Sequence, residues 1–269
     1  MKHWIARQYS IERSATTVMG IVNVTPDSFS DGGKYLDPAA AVEHALQMQE
    51  EGAGIIDIGG QSTRPGSATL TASEELRRIE PVVRALRGRL RVALSVDTFY
   101  PEVAERTLAL GADIINDVSG RVNPAMASLA AKTGAGWILT ETRGDYGPDI
   151  AADVADRLAS LATQAEELGV PREQLCLDPG FGFEKDAEQN IELLRGLDRV
   201  AALGYPLLTG VSRKRFIGAL TGVANPDERD PGSMAVHLLC LEQGACIVRA
   251  HNVPLSVQMA RVWDGCRKG

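Results

Sequence analysis

The stretch MGIVNVTPDSFSDGG, residues 19–33, begins as an apolar run and then changes to Thr, Pro, Asp, Ser and Gly around a single Phe. The first half is typical of a buried strand. The second half has too many turn formers for a strand and too little apolar periodicity for a helix, so it predicts a loop. A short apolar run that ends in polar residues recurs along the chain, and this order decides the predicted fold.

Short apolar runs alternate with longer segments of helical periodicity. The sequence predicts strands at 18–24, 54–59, 91–97, 113–117, 136–141, 174–178, 206–211 and 245–249. It predicts helices at 38–51, 73–86, 101–110, 125–132, 149–168, 191–203, 234–243 and 254–263. Strict alternation predicts a parallel sheet, and about eight repeats in 269 residues favour a (β/α)8 TIM barrel over a doubly wound sheet.

Three details complete the predicted architecture. No linker divides the chain, so residues 1–269 are predicted to form a single domain. The residues before Met19 are predicted to form a short hairpin or plug across the bottom of the barrel. Ser73 is the predicted N-cap of the second helix, and Pro81 within that helix predicts a kink or a late start.

Composition and charge limit the functional classes. A net charge of −7 and a pI near 5.2 argue against broad binding to nucleic acid or to a membrane surface. Cations for an anionic ligand must therefore be clustered locally. The N-terminus lacks the apolar core of a signal peptide, and no apolar run approaches the ~20 residues that span a bilayer. Four cysteines without a CxxC pair predict reduced thiols in a cytoplasmic protein.

In a TIM barrel, functional groups collect where strands end and the loops to the helices begin. The predicted strand ends carry polar groups at Asn23, Asp57, Asp97, Asn116, Asp117, Glu141, Asp178, Ser212, Lys214, Arg249 and His251. An Asp or Asn at any one strand end is also common turn or cap chemistry. The whole set needs another explanation, because capping requires no Arg or His at the barrel mouth.

Seven segments of the chain together resemble the dihydropteroate synthase family of pterin-binding enzymes. They are MGIVNVTPDSFSDGG (19–33), DIGGQSTRPG (57–66), SVDTFYPEVA (95–104), GADIINDVSG (111–120), DPGFGFEK (178–185), GVSRKRFIG (210–218) and IVRAHNV (247–253). The resemblance implies a (β/α)8 barrel, usually a homodimer. It implies condensation of 6-hydroxymethyl-7,8-dihydropterin diphosphate with p-aminobenzoate, which gives 7,8-dihydropteroate and diphosphate in folate biosynthesis with the help of Mg²⁺.

A pterin ring presents hydrogen-bond donors beside ring acceptors, so its pocket needs a carboxylate for the donors and amide or ammonium groups for the acceptors. The resemblance implies that the residues that bind the pterin are Asp97, Asn116, Asp178, Phe183, Lys214 and Arg249. Asp178 is expected at the edge that carries the donors, because two parallel hydrogen bonds to one carboxylate combine charge and planar specificity. Phe183 and the stem of Arg249 are expected to form walls.

The resemblance also implies contacts for the other two ligands. The contacts to diphosphate are expected from Asn23, Arg64, Arg249 and His251. Asn23 supplies a neutral oxygen, which suits a magnesium ion that is bound chiefly by phosphate. The contacts to p-aminobenzoate are expected from Phe29, Thr63, Pro65 and Ser212. The catalytic set implied in this way is Asn23, Arg64, Lys214, Arg249 and His251.

The reaction implied by these residues is a dissociative substitution. The sequence shows no Ser-His-Asp or Cys-His arrangement that would activate a nucleophile, so binding and charge stabilisation are expected to carry the rate. Diphosphate is expected to leave before the amine attacks, with magnesium, Arg64 and His251 stabilising it. Residues 25–33 and 61–67 are expected to form two mobile loops that exclude water from the cation.

The chain departs from the family pattern in three places. Many bacterial members read Leu-Met-His-Met-Gln-Gly after the fifth strand, where this chain has Thr140 and Glu141 within LTETRG. Gln61 stands where Glu is usual, and Glu184 stands where Gly is usual. Two alternatives therefore stay open at this point. One is a catalytically silent paralogue that binds pterin, and the other is a pterin-dependent methyltransferase, which is expected to lack the STRPG and SRKR segments.

Overall fold

A computed structural model describes residues 2–25, 38–61 and 69–267 and contains a parallel barrel. Its strands are β1 (His3–Ala6), β2 (Tyr9–Glu12), β3 (Thr17–Asn23), β4 (Ile55–Gly59), β5 (Ala93–Asp97), β6 (Ile114–Asp117), β7 (Gly136–Thr140), β8 (Leu175–Asp178), β9 (Leu208–Thr209) and β10 (Ile247–Ala250). Strands β3 to β8 pair in chain order, and β10 lies between β3 and β9. A parallel bridge between Leu177 and Leu207 brings β8 beside the segment that enters β9. The predicted (β/α)8 barrel is confirmed.

Helices connect and surround the barrel strands. They are α1 (Pro38–Glu50), α2 (Ala72–Leu86), α3 (Pro101–Leu110), α4 (Pro124–Thr133), α5 (Ile150–Glu167), α6 (Ala187–Arg195), α7 (Asp198–Ala201), α8 (Arg215–Thr221), α9 (Asp230–Glu242) and α10 (Val253–Arg267). The single helix predicted at 191–203 is two helices, because α6 ends at Arg195 with Gly196 as its C-cap and α7 begins at Asp198. Short 3-10 turns occupy Arg172–Gln174 and Pro226–Glu228.

The start of α2 corrects the predicted cap. The N-cap is Thr71, whose hydroxyl accepts a hydrogen bond from the Glu74 backbone while the Glu74 carboxylate accepts one from the Thr71 backbone. This reciprocal pair satisfies two backbone donors that a helix start otherwise leaves open. Ser73 lies inside the helix, so its prediction as the cap is wrong. The helix begins before Pro81 and continues through it, so the predicted late start is also wrong.

The N-terminal hairpin closes the bottom of the barrel, as predicted. Strands β1 and β2 pair antiparallel, and Trp4 on β1 is fully buried. Its indole N–H donates to the carbonyl of Gln174 at 2.8 Å, which satisfies the one polar atom of the side chain. Trp4 packs against Met19, Ile55 and other buried residues near the strand starts. The carboxyl ends of the strands are therefore the end of the barrel that carries the polar side chains.

Two further observations concern the chain as a whole. Within residues 2–25, 38–61 and 69–267, no helix combines the length and the apolar character needed to cross a bilayer. The thiols of Cys176, Cys240 and Cys246 are buried, that of Cys266 is exposed, and all four are free.

Candidate active site

A pocket with an empty volume of about 340 Å³ opens at the carboxyl ends of the barrel strands. Its lining consists of Asp97, Asn116, Val118, Asp178, Phe181, Phe183, Gly210, Lys214 and Arg249. These residues include every position that the sequence assigned to pterin binding. The structure thus brings together side chains that are separated by up to 152 residues along the chain.

Strand register explains this convergence. Asp97 at the end of β5 pairs with Asn116 on β6, and Thr140 at the end of β7 pairs with Asp178 at the end of β8. The carboxyl ends of parallel strands meet at one end of the barrel, so their terminal side chains become neighbours. The loop after β8 carries Phe183 into the same space.

Arg249 on β10 is held by two carboxylates. Its Nε donates to Asp57 Oδ2 at 2.7 Å, and its Nη2 donates to Asp97 Oδ2 at 3.0 Å. Asn116 Nδ2 also donates to Asp57 Oδ2, at 3.0 Å. Asp57 is fully buried, so it acts as a fixed acceptor for two residues of the pocket wall. Such ion pairs hold a guanidinium in one orientation where solvent is excluded.

Asp57 is a residue of this site for which no role was predicted from the sequence. The sequence identified it only as a polar group at a strand end. The available signal was Arg249, because a buried arginine at a strand end requires a carboxylate on a nearby strand. Strand β3 alone separates β4, which carries Asp57, from β10, so Asp57 was within reach.

Burial sets the protonation tendencies in the pocket. It raises the pKa of the Asp97 carboxyl, although the Arg249 guanidinium opposes the shift. It also raises the pKa of the Asp178 carboxyl, which accepts a hydrogen bond from the Gly180 N–H at 2.8 Å. Burial, followed by the Arg249 charge, lowers the pKa of Lys214 to about 8. Hydrogen bonds to a ligand are electrostatically strong in such surroundings.

Lys214 lies against an aromatic wall. Its ammonium nitrogen is 4.6 Å from the centre of the Phe183 ring, a distance at which the ring face attracts a cation. Within the described residues, Lys214 has no carboxylate within 4.0 Å, so its donors are not committed to an ion pair. Its ammonium can therefore serve a ring acceptor of a ligand in the pocket.

His251 and Ser212 form a pair at the edge of the pocket. The Ser212 hydroxyl accepts the backbone N–H of His251 at 3.2 Å and lies 2.9 Å from Nδ1 of the same residue. With the ring proton on Nε2, the Ser212 hydroxyl donates to Nδ1. Burial, followed by the Arg249 charge, lowers the pKa of His251 to about 3, so the imidazole is neutral at pH 7. It offers an N–H donor to an anion, without a charge.

Asn23 lies at the end of β3, on the strand that neighbours β4. A Cβ atom at Gly59 would be 3.9 Å from Asn23 Oδ1 and 3.5 Å from Asp97 Cβ, so Asn23 and Asp97 flank this glycine. The amide oxygen of Asn23 therefore lies beside the pocket, on the side of β4 and β5. Phe29, Thr63, Arg64 and Pro65 lie outside the described residues, and their assignments stay predictions.

Two of the family departures have a local explanation. Gln61 Oε1 accepts the Leu70 backbone N–H at 2.9 Å, a role that needs only an oxygen acceptor. Glu184 has φ of +44°, in the left-handed region that glycine adopts most easily. The glycine that is usual in the family at this position fits that backbone, and Glu184 adopts the same conformation.

Two further departures are Thr140, the last residue of β7, and Glu141, which follows it. The carboxylate of Glu141 is buried and is bound by Lys185 at 2.9 Å, by the Tyr146 hydroxyl at 2.6 Å and by Arg157 at 3.3 Å. Thr140 is also buried, and neither residue is part of the pocket lining within the described residues. The extra carboxylate is thus neutralised behind the pocket.

Comparisons with known proteins agree with this site. Residues 19–251 match the family model described as pterin binding enzyme. A dihydropteroate synthase of Streptococcus pyogenes is 43% identical over 258 residues, which are 95% of this chain and 97% of the relative. A Xanthomonas albilineans dihydropteroate synthase solved with 4-aminobenzoic acid has a TM-score of 0.94 and 41% identity, with 99% of both chains covered.

A second structure of the Xanthomonas albilineans enzyme, in complex with 7,8-dihydropteroate, has a TM-score of 0.89 and 41% identity, with 97% of both chains covered. These matches extend over the barrel and over all the predicted site positions from Asn23 to His251. The chain therefore belongs to the dihydropteroate synthases within the family of pterin-binding enzymes.

Proposed function

We propose that this protein condenses 6-hydroxymethyl-7,8-dihydropterin diphosphate with p-aminobenzoate and releases 7,8-dihydropteroate and diphosphate. The observation that carries the proposal is the pocket in which the buried Asp178 and Asn116 and the half-buried Lys214 converge at the carboxyl end of the barrel. The relatives solved with 4-aminobenzoic acid and with 7,8-dihydropteroate support the choice of ligands. The chain is accordingly a transferase of folate biosynthesis.

The pocket residues complement the edges of a pterin. Asp178 accepts from the ring donors, while Asn116 and Lys214 serve the ring acceptors. Asp97 supplies a second carboxylate, which Arg249 holds at 3.0 Å. Because these side chains are fixed before the ligand arrives, little ordering cost opposes binding.

Hydrogen-bond donors for the diphosphate leaving group lie at the mouth of the pocket. Arg249 uses Nε and Nη2 for carboxylates, and its Nη1 has no partner within the described residues. His251 Nε2–H is the second available donor. Both support departure of diphosphate by stabilising its developing charge, and the pterin ring supports positive charge on its methylene carbon. We propose that this bond breaks ahead of attack by the p-aminobenzoate amine, a dissociative order.

Magnesium fits the donor set beside the pocket. Asn23 supplies an amide oxygen, and within the described residues no group of three or more His, Cys, Asp or Glu side chains forms a metal cage. Such a site suits an ion that is bound chiefly by the diphosphate of the substrate. The ion would supply positive charge to the leaving group, and Asn23 would hold it.

The test is a coupled assay for 7,8-dihydropteroate with purified protein. We expect product only when the pterin diphosphate, p-aminobenzoate and Mg²⁺ are all present, and we expect release of one diphosphate for each product. Pterin binding without any product under these conditions would instead identify a silent paralogue. The position of Glu141 behind the pocket removes one reason for that alternative.

Asp178→Asn is expected to weaken pterin binding by about 10- to 100-fold, because an acceptor is replaced by a donor that faces the ring donors. The asparagine oxygen can still accept the Gly180 N–H, so the loop after β8 is retained. Calorimetric titration with 6-hydroxymethylpterin measures the affinity. Asp198→Asn on the exposed start of α7 serves as the control, and equal affinity in both variants would contradict the assignment.

We also propose a homodimer in the cytoplasm. The free thiols are typical of a reducing compartment. Exposed apolar side chains lie on three consecutive helices, α8 to α10, at Leu220, Leu238, Leu239, Leu255 and Val262. A patch of this kind is typical of an interface between protein chains.

Leu239→Glu is expected to convert the dimer to a monomer, since it places a charge in the apolar patch. Sedimentation velocity should then give the 28.8 kDa of one chain instead of twice that mass. Leu168→Glu, at an equally exposed leucine after α5, is the control and should remain dimeric. A dimer that persists in Leu239→Glu would place the interface elsewhere.

A further inference from the structure

The loop after β8, residues 179–184, forms one wall of the pocket and is anchored from behind by a buried ion pair. We propose that Glu141 and Lys185 are positioning residues that fix this loop for binding of the pterin ring. The inference deepens the proposed function and depends on it for the identity of the ligand. Neither residue lines the described part of the pocket, so neither is placed to contact the ligand directly.

Lys185 lies where an ammonium group is rarely found. Its side chain has no exposed surface, and its Nζ is 2.9 Å from Glu141 Oε2 and 3.1 Å from the Gly180 carbonyl. The carbonyls of Phe183 and Glu141 are each 3.4 Å away. Carbonyl groups from both ends of the loop therefore converge on one cation. Such charge-assisted hydrogen bonds fix the path of the loop backbone.

The loop also has no room to shift toward β7. Gly180 has φ of +68°, and a Cβ atom there would overlap the carbonyl oxygen of Glu141. Gly182 has φ of +77°, and a Cβ atom there would be 2.8 Å from Lys214 Cδ. The loop is thus packed between the Glu141 backbone on one side and the pterin-binding Lys214 on the other. A change at Glu141 would be transmitted directly to the pocket.

The charge of Glu141 is what allows Lys185 to remain buried. It is the carboxylate that forms an ion pair with Lys185 within the described residues. Its two oxygens are fully engaged, since Oε2 also accepts from the Tyr146 hydroxyl at 2.6 Å and Oε1 accepts from the Arg143 backbone at 2.9 Å. A buried cation that loses its partner is strongly disfavoured. Without Glu141, Lys185 would turn toward water and release the loop carbonyls.

Arg157 on α5 provides a matched control. It contacts the same carboxylate, at 3.3 Å from Oε1, but it makes no hydrogen bond to residues 179–184 within the described part of the chain. Arg157→Gln therefore removes an ion pair of Glu141 and leaves the loop anchor in place. If Glu141 served stability alone, Glu141→Gln and Arg157→Gln would change the pterin affinity by the same amount.

The experiment compares Glu141→Gln, Lys185→Met, their double variant and Arg157→Gln. Calorimetry with 6-hydroxymethylpterin gives the ring affinity, steady-state assays give KM for each substrate, and circular dichroism confirms folding. We expect each of the first two variants to lose about tenfold in pterin affinity. The double variant should lose little more, because the two residues act as a unit. Arg157→Gln should lose less than threefold, and KM for p-aminobenzoate should stay within twofold throughout.

Pterin affinity within twofold of the unmodified protein in both folded single variants would overturn the inference. Equal losses in Arg157→Gln and Glu141→Gln would also overturn it, because they would indicate a role in stability alone. Where one single variant does not fold, the other decides the outcome by the same criterion. Failure of the proposed function has a different signature, since the unmodified protein would then bind pterin without forming product, and the binding comparison would still stand.

Discussion

Replacing Arg249 with methionine is expected to abolish detectable turnover and to lower the free energy of unfolding by about 3–5 kcal/mol. The guanidinium is bound by Asp57 at 2.7 Å and by Asp97 at 3.0 Å. Its removal leaves the buried Asp57 and the largely buried Asp97 without a cation, which costs far more than the loss of an exposed pair. In the proposed mechanism, the diphosphate also loses its Nη1 donor in this variant.

Urea denaturation at pH 7.5 measures the stability change, and the dihydropteroate assay measures turnover. Arg91→Met is the matched control, since Arg91 forms an ion pair of 2.6 Å with Glu50 in which both side chains are more than two thirds exposed. It should leave stability and turnover unchanged, because solvent screens such a pair. A loss of stability in Arg249→Met no larger than in Arg91→Met would contradict the assignment.

A second variant separates the two roles of Arg249. Adding Asp57→Asn to Arg249→Met removes one of the unpaired charges, so part of the stability should return. Turnover should not return, because the donor for diphosphate is still missing. The loss of stability in Arg249→Met should also shrink as the pH falls, since burial raises the pKa of the unpaired Asp97 carboxyl, which can then take up a proton.

The polar residues at the strand ends were predictable because a parallel barrel leaves few places for them. Asp97, Asn116 and Asp178 each close an apolar run, and the barrel brings the ends of those runs together. The sequence could not show which carboxylate Arg249 selects. Asp57 lies in the middle of β4 and Asp97 at the end of β5, and Arg249 binds both.

The structural role of Glu141 depends on its contact with Lys185, which no local sequence pattern predicts. Its partner Lys185 is 44 residues away, and the pairing depends on how the loop after β8 folds back on β7. Ser73 alone was predicted as the cap of α2, although threonine and serine have the same capping chemistry. Thr71 is selected because Glu74 stands three residues later and completes the reciprocal pair.

His237 on α9 is expected to make the protein less stable in acid. Its side chain is fully buried, and neither ring nitrogen has a hydrogen-bond partner within the described residues. Burial lowers its pKa from 6.5 to about 3, so the folded protein keeps the ring neutral while the unfolded chain takes up a proton. The unfolded state therefore binds more protons between these two pH values, and the free energy of unfolding falls as the pH decreases below 6.5.

At pH 5 this contribution is about 2 kcal/mol, from about 1.4 kcal/mol for each pH unit below the unfolded pKa. His237→Leu removes the titrating ring and keeps the site apolar, so the variant should lose about 2 kcal/mol less than the unmodified protein between pH 7.5 and pH 5. Urea denaturation at the two pH values measures this difference. A packing change caused by His237→Leu cancels, because it is present at both pH values. His3→Gln, at an exposed histidine of β1, should leave the pH dependence unchanged. If His237→Leu lost as much stability in acid as the unmodified protein, His237 would not be the source of the acid sensitivity. Asp97 and Asp178 would not be its source either, because carboxyl groups with a raised pKa bind protons in the folded state and oppose acid unfolding.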